Sequence, residues 1–201
     1  MNRREFVKAG LVLMPALTST NTVAVEGGKP WQAAVKTLVI VSHPYPERSV
    51  MTLGMQQAAE QVAGATVRNL ETLYGFDTRN IDADREYQLM QQHDRVVFVF
   101  PTHWFNIPPM MKAWLNDVWG SVGPGLWAGK EMLLVTTASG GSSTYGPSGR
   151  VGVRLKDVFL PMQASAAHAG MEYLEPLAFE GFSRSRLAEY QQQLLERLQQ
   201  A

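Results

Sequence analysis

The stretch from Asp94 to Trp119 constrains the fold most. Arg95-Val-Val-Phe-Val-Phe100 is an unbroken run of β-branched and aromatic residues after one arginine. Pro101-Thr-His-Trp-Phe-Asn106 follows as a polar, aromatic loop, and Ile107–Trp119 then reads as a helix. Pro108 and Pro109 suit its first turn, where N–H groups lack an intrahelical partner. Beyond them Met111, Leu115, Val118 and Trp119 share one face at helical spacing. A short apolar strand passing through a loop into a helix is the unit of a buried parallel sheet. The loop then lies at the carboxyl end of a strand, where open α/β sheets bind their ligands.

The rest of the chain repeats this alternation. Strands are expected at 35–42, 66–70, 131–137 and 171–174. Helices are expected from Ser49, as N-cap, to about Ala63, over 84–92, over most of 150–169, and from Ser183, again as N-cap, to Gln200. Val153, Val158, Phe159 and Met162 are candidate core residues of the third of these, which Pro161 kinks or divides. Residues 71–83 read as irregular, with a turn at Tyr74-Gly75. The pattern predicts a three-layer α/β sandwich on a doubly wound, five-stranded parallel sheet. The 201 residues, 45% hydrophobic and 18% charged, suffice for one such domain with a sizeable core.

Net charge is zero, so nothing steers the chain towards nucleic acid. There are no cysteines, which excludes disulfides and thiol catalysis. None of the four histidines, His43, His93, His103 and His168, pairs at zinc-ligand spacing, and no metal site is expected. The amino terminus is distinct. Asn2-Arg-Arg-Glu-Phe-Val-Lys8, the apolar run Ala9–Leu17 and a Thr/Ser/Asn tract stand in the order of an export signal. Arg-Arg-x-Phe-x-Lys looks like the twin-arginine signal, and the apolar run is far short of the ~20 residues that span a bilayer. Residues 1–30 are therefore assigned to a signal and linker, cleaved between Ala24 and Pro30, and 31–201 to the domain. The expected location is the periplasm, with the cytoplasm as the alternative.

Three loops, 43–49, 101–106 and 137–149, are rich in polar and small residues, and each follows a strand. In a doubly wound sheet they converge beside the strand-order switch point. The first leads into a helix start at Ser49, where backbone amides and the helix dipole favour a phosphate. It has neither a Gly-x-Gly-x-x-Gly fingerprint nor a Gly-Lys-Ser/Thr triphosphate loop. The second offers Trp104 and Phe105 as flat walls for a planar ring. The third offers Thr136, Thr137, Gly140 and Gly141, which bring backbone amides to a polar ring edge. A phosphate cradle, an aromatic wall and a small-residue rim together suit flavin mononucleotide.

Val41-Ser-His-Pro-Tyr-Pro46, Asn80-Ile-Asp82, Pro101-Thr-His-Trp-Phe-Asn-Ile-Pro-Pro-Met-Met-Lys-Ala-Trp114, Thr136-Thr137 and Leu160-Pro-Met-Gln163 resemble the NAD(P)H:quinone oxidoreductase family. The resemblance spans about residues 36–180 and is nearest to the flavin-dependent ancillary proteins of potassium-efflux systems. It implies a flavodoxin-like fold, FMN or FAD, a homodimer, and two-electron reduction of a quinone-type acceptor by NAD(P)H. Carried over, it places His43, Ser49, Val50, Met51 and Thr52 at the phosphate end. It places Thr102, His103, Trp104 and Phe105 along the ribityl chain and ring, and Thr136, Thr137, Ala138 and Ser139 at the isoalloxazine edge. His103 and Tyr145 are its catalytic candidates. Three departures stand out: Ala138-Ser139 replaces a family Gly-Gly, Thr52 replaces a common asparagine, and Arg150 lies near the place of a family histidine.

NAD(P)H is not expected outside the cytoplasm, so export favours an alternative: an electron-transfer or regulatory flavoprotein with another donor, docking on a membrane-protein partner. A cofactor-free interaction fold is a third reading. Trp114, Trp119 and Trp127 serve either a dimer face or the core.

Overall fold

The computed structural model describes residues 35–120 and 123–200. The export-signal expectation at residues 1–30 lies outside them. Five positions make one all-parallel sheet. Its strands are β1 (Thr37–Val41), β2 (Ala65–Asn69), β3 (Arg95–Pro101), β4 (Glu131–Ala138) and an edge split into β5 (Glu172–Tyr173) and β6 (Leu177–Glu180). The order is β2-β1-β3-β4-β5, with β6 also on β4. The sequence reading expects only the first part of that edge. The register slips by one residue between Met132↔Tyr173 and Val135↔Leu177, and Pro176, which cannot donate to a ladder, sits in the break.

Alternation along the strands sorts the side chains into two cores. Val39, Val97 and Leu133 lie in one register row, and Val41, Val99 and Val135 in another. Both rows pack under α1 (Val50–Ala59) and α6 (Leu187–Gln199). Leu38, Val96 and Met132 face the opposite way, as do Ile40, Phe98 and Leu134. They pack under α2 (Leu70–Tyr74), α3 (Ala83–Gln92), α4 (Pro109–Trp119) and α5 (Leu160–Ala169). The chain changes face between β1 and β3, which makes that boundary the switch point. Gly54 lets α6 come close to α1. A Cβ there would stand 2.7 Å from a Leu187 methyl.

Polar tethers fix these layers. The buried Glu86 carboxylate accepts from Arg68 Nε (2.9 Å), the Tyr74 hydroxyl and Trp114 Nε1 (3.0 Å), joining β2 to three helices. Burial and then Glu86 push the Tyr74 hydroxyl up to about 12. Arg95, also buried, pairs with Glu131 and donates to the carbonyls of Arg197 (3.3 Å) and Gln200 (2.9 Å). Those are carbonyls a helix end leaves without partners.

Several local expectations shift. Residues 71–83 are less irregular than they read. Asn69 caps α2 by accepting from the Thr72 amide (3.1 Å), and Asp82 caps α3 through Arg85 (3.1 Å). Helix α1 ends at Ala59, where the next turn tightens to Gln61 N–H bonding Ala58 O. Pro161 opens α5 rather than kinking a longer helix, and Leu155–Phe159 is a separate 3-10 turn. Val153 is exposed, whereas Phe159 and Met162 are buried. Ser183 makes no side-chain cap; a 3-10 turn over Arg184–Arg186 precedes α6. Trp114 and Trp127 belong to the core, and Trp119 packs against it.

Candidate functional site

Strands β1, β3 and β4 lie side by side, so their carboxyl ends deliver loops 42–49, 102–108 and 139–154 to one edge of the sheet. Two adjoining cavities run along that edge and share Thr102 and Ser139. The first, about 280 Å³, is lined by His43, Tyr45, Arg48, Val50, Met51, Thr52, Pro101, Thr102, His103, Thr137, Ser139, Phe182 and Arg184. The second, about 400 Å³, is lined by Thr102, Trp104, Phe105, Ser139, Gly140, Thr144, Tyr145 and Arg150.

The first cavity gathers hydrogen-bond donors and cationic side chains. Helix α1 opens onto it, and its first backbone bond runs from Leu53 N–H to Ser49 O (2.7 Å). The amides of Val50, Met51 and Thr52 thus form a first turn without intrahelical partners. Ser49 does not compete for them, because its hydroxyl donates to Pro46 O (2.7 Å) instead. The Met51 and Thr52 side chains are themselves buried, so these residues offer backbone rather than side chain. His43 Nδ1 accepts from the Tyr45 amide (3.0 Å), which leaves its Nε2 to carry the proton and donate. Burial, then the neighbouring His103, hold His43 below the usual imidazole range; Glu47 opposes them. An anion among His43, Arg48 and Arg184 reverses the effect of His103. Helix-start amides, an imidazole N–H and two guanidinium forks are donors of the kind that suit a phosphate.

The second cavity gathers aromatic side chains. His103 and Asn106 pair through both backbone bonds (3.3 and 2.9 Å), closing a two-residue hairpin with Trp104 and Phe105 at its tip. Both tip residues are left-handed, with φ of 47° and 58°, a conformation such turns normally assign to Asn and Gly. Holding two aromatic residues there costs about 1–3 kcal/mol each, and strain of this kind collects at ligand sites. It leaves the Trp104 indole 94% exposed. Phe105 meets the buried Tyr145 edge to face, centroids 6.1 Å apart. Burial, then the nearby Glu180, raise the Tyr145 hydroxyl, which therefore keeps its proton at neutral pH. Tyr145 and His103 lie on opposite sides of Thr102, one in each cavity.

Of the fourteen residues the sequence singles out, eleven line these two cavities and three stand back. Ser49 turns to Pro46 as described. Thr136 is fully buried, with its hydroxyl 2.8 Å from that of Thr102, which it orients. Ala138 is buried in the core. Phe182 and Arg184 line the first cavity without having been expected. They arrive because β6 pairs with β4 up to Glu180↔Ala138, after which Phe182 N–H bonds Ala138 O (3.2 Å). Without β6 in the reading, the basic Ser183-Arg-Ser-Arg186 tract had no visible route to the site. A third groove, about 690 Å³, runs between α4 and α5 from Phe105 past Trp119 and Met162 to His168.

An open parallel sheet in the order β2-β1-β3-β4-β5, with two adjoining cavities at its switch point, defines a flavodoxin-like fold. Residues 35–201 match the family model described as the flavodoxin-like fold, and the chain belongs to the flavodoxin-like NAD(P)H oxidoreductase family. General stress protein 14 of Bacillus subtilis (strain 168) is 33% identical over 175 residues, covering 79% of this chain and 98% of that protein. The same organism's uncharacterized NAD(P)H oxidoreductase YrkL is 35% identical over 147 residues, covering 70% and 82%. The crystal structure of general stress protein 14 from Treponema denticola, in complex with FMN, is 29% identical with a TM-score of 0.71, covering 82% of this chain and 99% of that one.

Proposed function

We propose that this chain is an FMN-dependent oxidoreductase that moves two electrons from NAD(P)H to a quinone-type acceptor. The observation that carries the reading is the two-ended crevice: unpaired α1 amides with Arg48 and Arg184 at one end, Trp104, Phe105 and Tyr145 at the other. The T. denticola relative, similar over nearly its whole length, is a complex with FMN. YrkL's name supplies the nicotinamide donor. Two guanidinium groups, an imidazole N–H and three amides match a terminal phosphate dianion, which favours FMN over FAD.

FMN supplies the hydride chemistry when bound; the protein positions it and tunes it. The Val50, Met51 and Thr52 amides, with His43, Arg48 and Arg184, would hold the phosphate. Thr102, oriented by Thr136, would steady the chain between phosphate and ring, and Thr137 and Ser139 would meet the ring edge. Trp104 and Phe105 would exclude water from the ring's neighbourhood. The Tyr145 hydroxyl, kept protonated by burial, would donate a proton to charge developing on the acceptor. His103 would hold charge on the other side of Thr102. A second copy of the chain seated in the groove between α4 and α5, beside Phe105, would complete a homodimer.

The Arg3-Arg4 pattern, outside the described residues, favours a second reading: an exported flavoprotein that draws electrons from a non-nicotinamide donor and docks on a membrane partner, as the potassium-efflux relatives would imply. One experiment separates the two. The purified protein is scanned for a flavin band and then mixed with NADH or NADPH. Bleaching by either nucleotide supports the first reading. A yellow protein that bleaches only with dithionite supports the second. A protein that stays colourless after incubation with FMN and FAD overturns both.

A further inference from the structure

Three arginines line the crevice. Arg48 and Arg184 sit at the amide end, where a phosphate accounts for them. Arg150 sits in the other cavity, beyond Thr102 and Ser139, and the cofactor phosphate gives it nothing to do. Among the described residues it joins no ion pair. Its backbone is fixed, with the amide bonded to Ser143 O (3.0 Å), while its side chain is exposed. The nearest carboxylate to Tyr145, Glu180, accepts from the Leu155 amide (3.2 Å) and does not line the cavity. The cavity therefore presents an unopposed guanidinium beside a phenol proton donor and an exposed indole face.

Resting on the reading of this crevice as a flavin site, we infer that Arg150 selects the acceptor: a planar aromatic acceptor carrying a carboxylate or sulfonate. Each part has a partner in the cavity. The Trp104 indole offers the ring a flat apolar face. The guanidinium fork matches the two oxygens of a carboxylate or sulfonate. Gly140 keeps the wall low, since a Cβ there would stand 2.8 Å from Thr144 Oγ1 and crowd the cavity.

The test uses FMN-loaded protein and a shape-matched, redox-inert pair: 2-naphthalenesulfonate and the neutral 2-naphthalenesulfonamide. Each is titrated while the flavin visible band is followed, in the wild type, Arg150→Gln and Arg150→Glu. The sulfonate should bind about fivefold tighter than the sulfonamide in the wild type, less so at high salt. Arg150→Gln should bring the two within twofold, and Arg150→Glu should reverse the order. Reoxidation of dithionite-reduced protein by 1,2-naphthoquinone-4-sulfonate should slow by a similar factor in Arg150→Gln, with neutral 1,2-naphthoquinone little changed. Equal affinities in the wild type, or a sulfonate preference that survives Arg150→Gln, overturn the inference. So does a loss confined to reduction by NADH, which would assign Arg150 to the donor. Retained FMN without charge discrimination is a failure of this inference alone; failure to retain any flavin is a failure of the proposed function.

Discussion

At the end of the crevice lined by His43, Arg48 and Arg184, part of the donor set is backbone that most sequences could supply. The Val50, Met51 and Thr52 amides point outward because α1 starts there, and the side chains of Met51 and Thr52 are turned into the core. The backbone is relaxed. At the end lined by Trp104, Phe105 and Tyr145, recognition runs through particular side chains on a turn whose two tip residues are left-handed. One end is strained and exposed, the other unstrained and drawn from a regular element. A phosphate is the same in every nucleotide, so a helix start serves it. Under the proposed function the ring end would admit and release substrates, and it is where the left-handed, strained residues lie.

The largest expected effect tests the phosphate end. Reversing both guanidiniums, Arg48→Glu with Arg184→Glu, should weaken FMN by about 100-fold or more and leave riboflavin within a few-fold, since hydrogen bonds to charged groups contribute about 1.5–3 kcal/mol each. Flavin fluorescence titrations with the two ligands measure the ratio. A riboflavin loss as large as the FMN loss would mean that the pair acts elsewhere than on a phosphate. Val50→Pro is the subtler probe. Proline is tolerated at the first helical position but deletes one amide donor, so FMN affinity should fall about tenfold with the thermal midpoint moved only a few degrees.

The same contrast governs how much of the site is legible in the sequence. The strand-to-loop units gave themselves away through the apolar runs of β1, β3 and β4, and the aromatic tip through Trp104-Phe105, because side-chain chemistry is written in residue types. Arg184 and Phe182 were not legible. Their place depends on β6, four residues behind a proline with no apolar alternation strong enough to mark a strand. Ser49 reads as a cap by residue type, yet its hydroxyl bonds backward to Pro46, a choice set by the Pro46–Arg48 turn rather than by composition. Thr136 and Ala138 read as site residues because the family resemblance carries the whole Thr136-Thr-Ala-Ser139 stretch to the ring edge. Strand alternation and burial at the end of β4 decide otherwise, handing Thr136 to Thr102 and Ala138 to the core. Val153 has the residue type of a core position but lies in a turn before the 3-10 segment, where no neighbour covers it.

The ring end carries the next prediction. Trp104→Asn with Phe105→Gly installs the residues that a two-residue hairpin with two left-handed positions prefers. The double variant should unfold later, by about 1–2 kcal/mol, or roughly 3–6 °C, as backbone strain is relieved. It should keep the FMN-to-riboflavin affinity ratio, which belongs to the other end, while acceptor reduction falls at least tenfold. Calorimetry and dithionite-initiated single turnovers read the two effects separately. A variant no more stable than the wild type would show that packing against Tyr145 already offsets the strain.

The smallest effect asks whether the support of the amide end is itself ionisable. Glu71, on α2, is buried beneath the loop that carries His43. It accepts from the Ser42 hydroxyl (2.6 Å), while its second carboxylate oxygen has no partner. Burial raises its pKa above the ordinary 4.5, against the opposing hydrogen bonds from Ser42 and nearby backbone amides. The native state then binds the proton more tightly than the unfolded chain does. Stability from this group is fully present below the ordinary value and is lost as pH rises through the raised native one. Glu71→Gln keeps an acceptor for Ser42 and removes the titration. Its thermal midpoint should rise relative to the wild type on going from pH 4 to pH 7, by about 2 °C, with FMN affinity little changed. Should the difference between the two proteins have the opposite sign, the ionised carboxylate is the form the loop needs, and the amide end owes its geometry to a buried charge rather than to backbone alone.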